Sequence, residues 1–222
     1  MLLLSAGATF IAINWLVFIY SVVSHQVLQS SLGYFINPLF SIFLGMIFLR
    51  ERLRRWQWAA VITAGIGVLN LALRSDRFPW IALSLAGSFG LYGLVRKKVD
   101  IDSLHGLLVE TTVLLPVALV VLALPASRHV STHSLGLLSL SGVITAVPLL
   151  FFGVALRQLK LSTMGFLQYV GPTLQFLVAL VVFHEGLDQD KLVSFALCWL
   201  AIGVYAADSI LTRQPQVCEE PE

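Results

Sequence analysis

The chain has 222 residues, of which 58% are hydrophobic and 12% charged, with a formal net charge of +2. A soluble domain carries about twice that charged fraction, and apolar stretches near the ~20 residues that cross a bilayer recur along the whole length. The composition therefore excludes a soluble domain with a single anchor, and so small a net charge gives no reason to expect a nucleic-acid partner.

Eight apolar spans are expected, roughly 2–24, 27–49, 56–73, 79–97, 103–124, 134–156, 162–183 and 191–211, joined by short connections. The fold class read from them is an all-α membrane protein with eight transmembrane helices. The first span opens directly after Met1 with no basic region and no cleavable signal shape, and carries Asn14 at its middle. The second carries Tyr34, Asn37 and Pro38 and ends at the run "RERLRR". Trp56, Trp58 and Trp80 stand near span ends, where indole rings favour the headgroup level. The fourth span closes on Tyr92, Arg96, Lys97 and Lys98, the fifth holds Glu110 and Pro116, and the sixth holds Pro148 and ends at Arg157. The seventh holds Gln168, Tyr169, Pro172 and Gln175; after the eighth comes the polar tail "RQPQVCEEPE". That tail is too short and polar to fold, so 212–222 is expected to be a disordered cytoplasmic tail. Cys198 and Cys218 make neither a metal pattern nor a disulfide framework.

Orientation follows from lysine and arginine alone. Arg50, Arg52, Arg54, Arg55, Arg96, Lys97, Lys98, Arg157, Lys160 and Arg213 fall on one side; Arg74, Arg77, Arg128 and Lys191 fall on the other. The richer side is taken as cytoplasmic, which puts both termini inside and the protein in the cell inner membrane. The "RERLRR" run reads mainly as this orientation signal, with contact to anionic lipid as the lesser role.

The chain repeats itself. "SLGYFINPLFSIFLGMIFLRERL" and "TMGFLQYVGPTLQFLVALVVFHEGL" share a proline, a glutamate and a leucine at a common offset of 134 residues: Pro38 and Pro172, Glu51 and Glu185, Leu53 and Leu187. Upstream, Gly33 and Gly165 are 132 apart. The copies are spans two and seven, and an odd shift of five spans reverses direction through the membrane. Inverted repeats of this kind are a recurrent architecture of secondary transporters. A five-span unit ending at span eight leaves only three spans for the first copy, so the chain is expected to be a fragment, or the product of a misplaced start, of a ten-helix protein.

Among the carboxylates, Glu110 alone lies well inside a span, about 10 Å deep at 1.5 Å per residue. An intramembrane carboxylate is costly and by default functional; a role in proton coupling is weighed here against a structural glutamate tied to Thr111, Thr112 or a neighbouring helix. A proline frees the carbonyl four residues back, and matched interruptions point to a transporter's binding site. Around Pro38 and Pro172 stand Tyr34, Asn37, Gln168, Tyr169 and Gln175, and Asn14 adds another amide. Asn14, Tyr34, Asn37, Glu110, Gln168, Tyr169 and Gln175 are thus the expected substrate pathway, with interhelical hydrogen bonding as the bland alternative. Pro38, Pro116, Pro148 and Pro172 are expected kinks. Arg96 and Arg157 are read as snorkelling to headgroups, with contact to an anionic substrate as the sharper alternative. No zinc-protease helix, serine elbow or phosphate loop is found. No enzyme, metal or cofactor is expected.

The stretches "NWLVFIYSV", "SLGYFINPL", "GLYGLVRKK", "VETTVLLPVAL", "STMGFLQYVGPTLQF" and "LVSFALCWLAI" resemble the RarD permeases of the EamA family, within the drug/metabolite transporter superfamily. The resemblance covers about residues 11 to 210. It implies a ten-helix inner-membrane carrier of two inverted five-helix repeats, here lacking the first two helices. Residues 1–73 would be the last three helices of the first repeat and 79–211 the complete second repeat. Gln29 stands where the family usually has glutamate; Arg50 and His184 stand where a glycine usually precedes the repeat glutamate. The expected function is movement of a small solute by alternating access, with proton-coupled export in view. The partners are that solute, membrane lipid and protons as the coupling ion. The alternative is a truncated, transport-inactive membrane protein.

Overall fold

A computed structural model describes residues 2–73, 78–123, 132–174 and 189–212. Gln175, His184, Glu185 and the tail from 213 onward lie outside the described residues, as do the two loops carrying Arg74, Arg77 and Arg128.

The described residues form α1 (Leu2–Val23), α2 (Val27–Phe48), α3 (Arg55–Leu73), α4 (Trp80–Lys98), α5 (Ser103–Ala123), α6 (Thr132–Gln158), α7 (Leu161–Gln168) and α8 (Gln189–Leu211). Six of these are long and apolar enough to cross a membrane: α1, α2, α3, α5, α6 and α8. The molecule is a multi-pass helical membrane protein. Of the other two expected spans, α4 carries Arg96, Lys97 and Lys98 in its last turn. The seventh is described as α7, a turn at Tyr169 and a further helical stretch over 170–174. The exposed side chains of the second half of α5, such as Leu115, Val117, Leu119 and Val120, are apolar, as a lipid-facing surface requires.

The described helices group into two compact units. The first takes in residues 1–51 and 79–168, the second residues 52–78 and 169 onward. Within the first unit, α1 packs on α4 and α5, α2 on α4 and α7, and α6 on α4 and α5. Its buried apolar cluster is Leu44, Leu94, Leu156, Leu161 and Met164. In lipid, apolar surface alone does not hold helices together, because acyl chains are as apolar as leucine; close packing through small residues and polar contacts does. Gly165 shows the device. A Cβ there would stand 2.6 Å from the carbonyl oxygen of Pro38, so only glycine lets α7 cross α2 at the proline.

The second unit joins α3 to α8. Ala60, Ala64, Gly67 and Val68 are the buried stripe of α3. A Cβ on Gly67 would lie 3.0 Å from the Ser194 carbonyl oxygen, and Asn70 Nδ2 donates to Ser194 Oγ at 3.1 Å. At the other end of the seam, Arg54 Nη1 lies 3.5 Å from Asp208 Oδ2 and also bonds Thr212 Oγ1.

The matched prolines act differently. α2 continues through Pro38, as α5 and α6 do through Pro116 and Pro148. By contrast, α7 ends at Gln168, whose carbonyl Pro172 frees, and helix resumes after one turn residue. The preceding residues account for the difference. "YVGP" places glycine, the weakest helix former after proline, directly ahead of the ring, whereas "FINP" places asparagine there.

Candidate functional site

Glu110 is 1% exposed in the fifth helix. The Thr111 and Thr112 hydroxyls turn elsewhere, bonding back to carbonyls of their own helix at Leu107 and Leu108. Its partners come from α4. Tyr92 Oη donates to Glu110 Oε2 at 3.2 Å, and Arg96 Nη1 lies 3.7 Å from Oε1. Tyr92 and Arg96 are one helical turn apart, so they share a face. Arg96 does not snorkel outward: the residue is 6% exposed, and Nη2 donates to the Ser103 carbonyl at 3.1 Å.

Two glycines make room for this guanidinium. A Cβ on Gly106 of α5 would collide with Arg96 Nη1, and one on Gly153 of α6 would stand 2.7 Å from Nη2. From α1, Gly7 approaches Glu110 so closely that a Cβ would be 3.3 Å from Oε1. The ion pair therefore sits among four helices of the first unit, two of its walls shaped by missing side chains. Glu110 Oε1 and Ser103 Oγ are both buried without a hydrogen-bond partner among the described residues.

The rest of the basic end of α4 is spoken for. Lys97 Nζ donates to the carbonyls of Leu156 and Leu159 at 2.6 and 2.7 Å. It caps the C-terminal end of α6, where a cation meets the negative end of the helix dipole. Lys98 lies over the Phe48 ring at 5.4 Å. Arg157 pairs with Asp100 and Asp102 at 3.5 and 3.6 Å on the surface.

A second polar pair joins the two expected repeats. Asn37 Nδ2 in α2 donates to Gln168 Oε1, the last residue of α7, at 2.9 Å. Asn37 Oδ1 and Gln168 Nε2 are left as one acceptor and one donor without partners among the described residues. The remaining candidates are placed apart from this pair. Asn14 donates to the Leu85 carbonyl and to Ser88 Oγ of α4, each at 3.0 Å, which is interhelical bonding. Tyr34 is 36% exposed and packs edge-on to Phe18. Tyr169 belongs to the second unit, 1% exposed, its hydroxyl without a partner among the described residues.

Glu51 plays a part that counting charges missed. Its two carboxylate oxygens accept from the backbone N–H groups of Leu161 and Ser162 at 2.7 and 2.9 Å. It thus caps the first turn of α7, where amides lack partners and the dipole favours an anion. The turn that presents it runs through Arg50 at φ 54°. That is a left-handed backbone, costly for any residue with a Cβ and open to glycine without that cost. Gly45 completes the fold-back, since a Cβ there would be 2.9 Å from Glu51 Oε2.

No family model matches the chain. Protein RarD of Salmonella typhi is 49% identical over 96% of this chain and 74% of its own; Protein RarD of Escherichia coli (strain K12) is 47% identical over the same shares. A protein of Vibrio cholerae named only as an uncharacterized transporter is 44% identical over 94% of this chain and 71% of its own. One solved crystal structure superposes with a TM-score of 0.61 at 15% identity, covering 92% of this chain and 88% of its own; at that identity the likeness speaks for the fold alone. Identity near one half across almost the whole chain, with three quarters of the relative spanned, places this protein in the RarD family.

Proposed function

We propose that the chain is a secondary transporter of the inner membrane, an EamA-like permease that moves a small solute by alternating access. The observation that carries it is the buried Arg96–Glu110–Tyr92 cluster. An ionisable group at membrane depth is expensive and is retained chiefly where it serves a substrate or proton path. Relatives named as transporters support the same reading.

Two inverted repeats fit the packing. Under the repeat, α2 corresponds to α7 and α3 to α8, and each helix touches its counterpart, as a two-fold axis in the membrane plane would have it. Residues 1–73 then belong to one repeat and 79–211 to the other, and the eight helices all cross the bilayer with both termini in the cytoplasm. The amide atoms of Asn37 and Gln168 that lack a partner among the described residues offer a donor and an acceptor to a solute at the repeat interface. Glu110 exchanges the coupling proton.

Single cysteines at positions 37 and 110, in a Cys198→Ser, Cys218→Ser background, test alternating access without knowledge of the solute. Both positions should react with a membrane-impermeant maleimide from either face of the membrane. Reaction from one face only, or from neither, removes the alternating-access reading. In proteoliposomes, Glu110→Gln should flatten the pH dependence of flux while leaving insertion intact; unchanged pH dependence removes the coupling role.

A further inference from the structure

We propose that Arg96 binds a carboxylate of the transported solute, and that Glu110 is the resident carboxylate which that solute replaces. The inference rests on the carrier reading above and names its substrate class.

A guanidinium presents five N–H donors in a planar fork that matches a carboxylate with two parallel bonds. Arg96 does not have that match. Glu110 Oε1 stands 3.7 Å from Nη1, beyond hydrogen-bond distance, and makes no other bond among the described residues. Its second oxygen is turned to Tyr92. One Arg96 nitrogen is held by the Ser103 carbonyl, while Ser103 Oγ, buried beside it, bonds nothing described. The fork is fixed by Gly106 and Gly153, which leave no lateral room, yet its charge is only half matched. A fixed guanidinium, an unused hydroxyl and a loosely held carboxylate are the parts of a site where one carboxylate can replace another.

The exchange balances in charge. A proton placed on Glu110 Oε2 neutralises that carboxyl, which then donates its O–H to Tyr92 Oη. Arg96 is left without its counter-ion, and a buried unpaired cation is strongly unfavourable. An incoming carboxylate restores neutrality, taking two N–H bonds from Arg96 and one O–H bond from Ser103. Among the described residues, the titratable or charged groups facing Glu110 are Tyr92 and Arg96 of α4. α1 presents Gly7 to it, α6 presents Gly153 to Arg96, and the Asp102–His105 pair at the head of α5 is exposed.

The test is calorimetric titration of the full chain in lipid nanodiscs with benzoate, and with benzamide as its neutral isostere. Wild type should bind benzoate and ignore benzamide, weakening by about tenfold per pH unit above the titration of Glu110, as one coupled proton requires. Glu110→Gln should bind benzoate at pH 8 at least about tenfold more tightly than wild type, with no pH dependence. Arg96→Gln should not bind it. Gly106→Ala, which displaces the guanidinium while keeping its charge, should also lose binding.

Equal binding of benzoate and benzamide overturns the proposal. So does Glu110→Gln binding no better than wild type, a comparison that decides the matter even if the arginine variant fails to fold. A chain that binds benzoate yet fails the two-sided labelling test loses the carrier reading and keeps the site. A chain that passes the labelling test and ignores benzoate loses the site and keeps the carrier.

Discussion

Two arginine–carboxylate pairs, one from each unit of the molecule, are close in length and opposite in setting. Arg96–Glu110 spans 3.7 Å with side chains 5% and 2% exposed; Arg54–Asp208 spans 3.5 Å with side chains 53% and 4% exposed. Distance is therefore a poor guide to what such a pair does. In the first, both charges have left water, and each depends on the other for its solvation. In the second, the arginine keeps half its surface in solvent, so the pair is screened and contributes little. The first pair also needed four helices to shape it, two glycines among them; the second closes the end of a two-helix seam.

The comparison breaks most visibly at Arg96. Replacing it by Gln strands a buried carboxylate and should cost about 3–5 kcal/mol, measured as unfolding free energy in detergent; an apolar pair at both positions should recover most of that. A loss under about 1 kcal/mol in Arg96→Gln would show that the buried pair is no more interdependent than an exposed one. Next comes Gly106→Ala, which deletes no charge but fills the guanidinium's slot, at about 1–3 kcal/mol for overpacking. Glu51→Ala removes a partly buried carboxylate bonded to two amides rather than to a cation. It should cost about 0.5–2 kcal/mol, the range of a helix cap, with amide exchange at Leu161 and Ser162 rising by comparison with wild type. The smallest effect is expected of Arg54→Gln: at most about 1 kcal/mol, falling away in 1 M salt, where the screening length is about 3 Å. A loss that persists in high salt would erase the contrast between the two pairs.

The long apolar runs marked the helices because crossing lipid demands them, and Glu110 stood out because carboxylates inside such runs are rare. Pro172 signalled the break at Gln168 for a stereochemical reason that operates within four residues. What was hidden was hidden by distance along the chain. Glu51 and the amides it caps are 110 and 111 residues apart, and nothing local at Glu51 points to them. Arg96 was masked by its neighbours, since a count of positive charge treats "RKK" as one signal, while the three side chains go to Glu110, to the end of α6 and to Phe48. The one-turn spacing of Tyr92 and Arg96, a signal that the charge count does not use, sets Arg96 apart. Asn14 read equally well as pathway or as packing, and its partners on α4 lie 71 and 74 residues away, where no local pattern points.

The short seventh helix is held at both extremities by one neighbour. Glu51, just past the end of α2, grips its head, and Asn37, within α2, grips its foot. A rod pinned twice to the same post cannot swivel about either pin. The two helices would travel as a single lever, and spin labels on them should keep a constant separation whatever the rest of the molecule does.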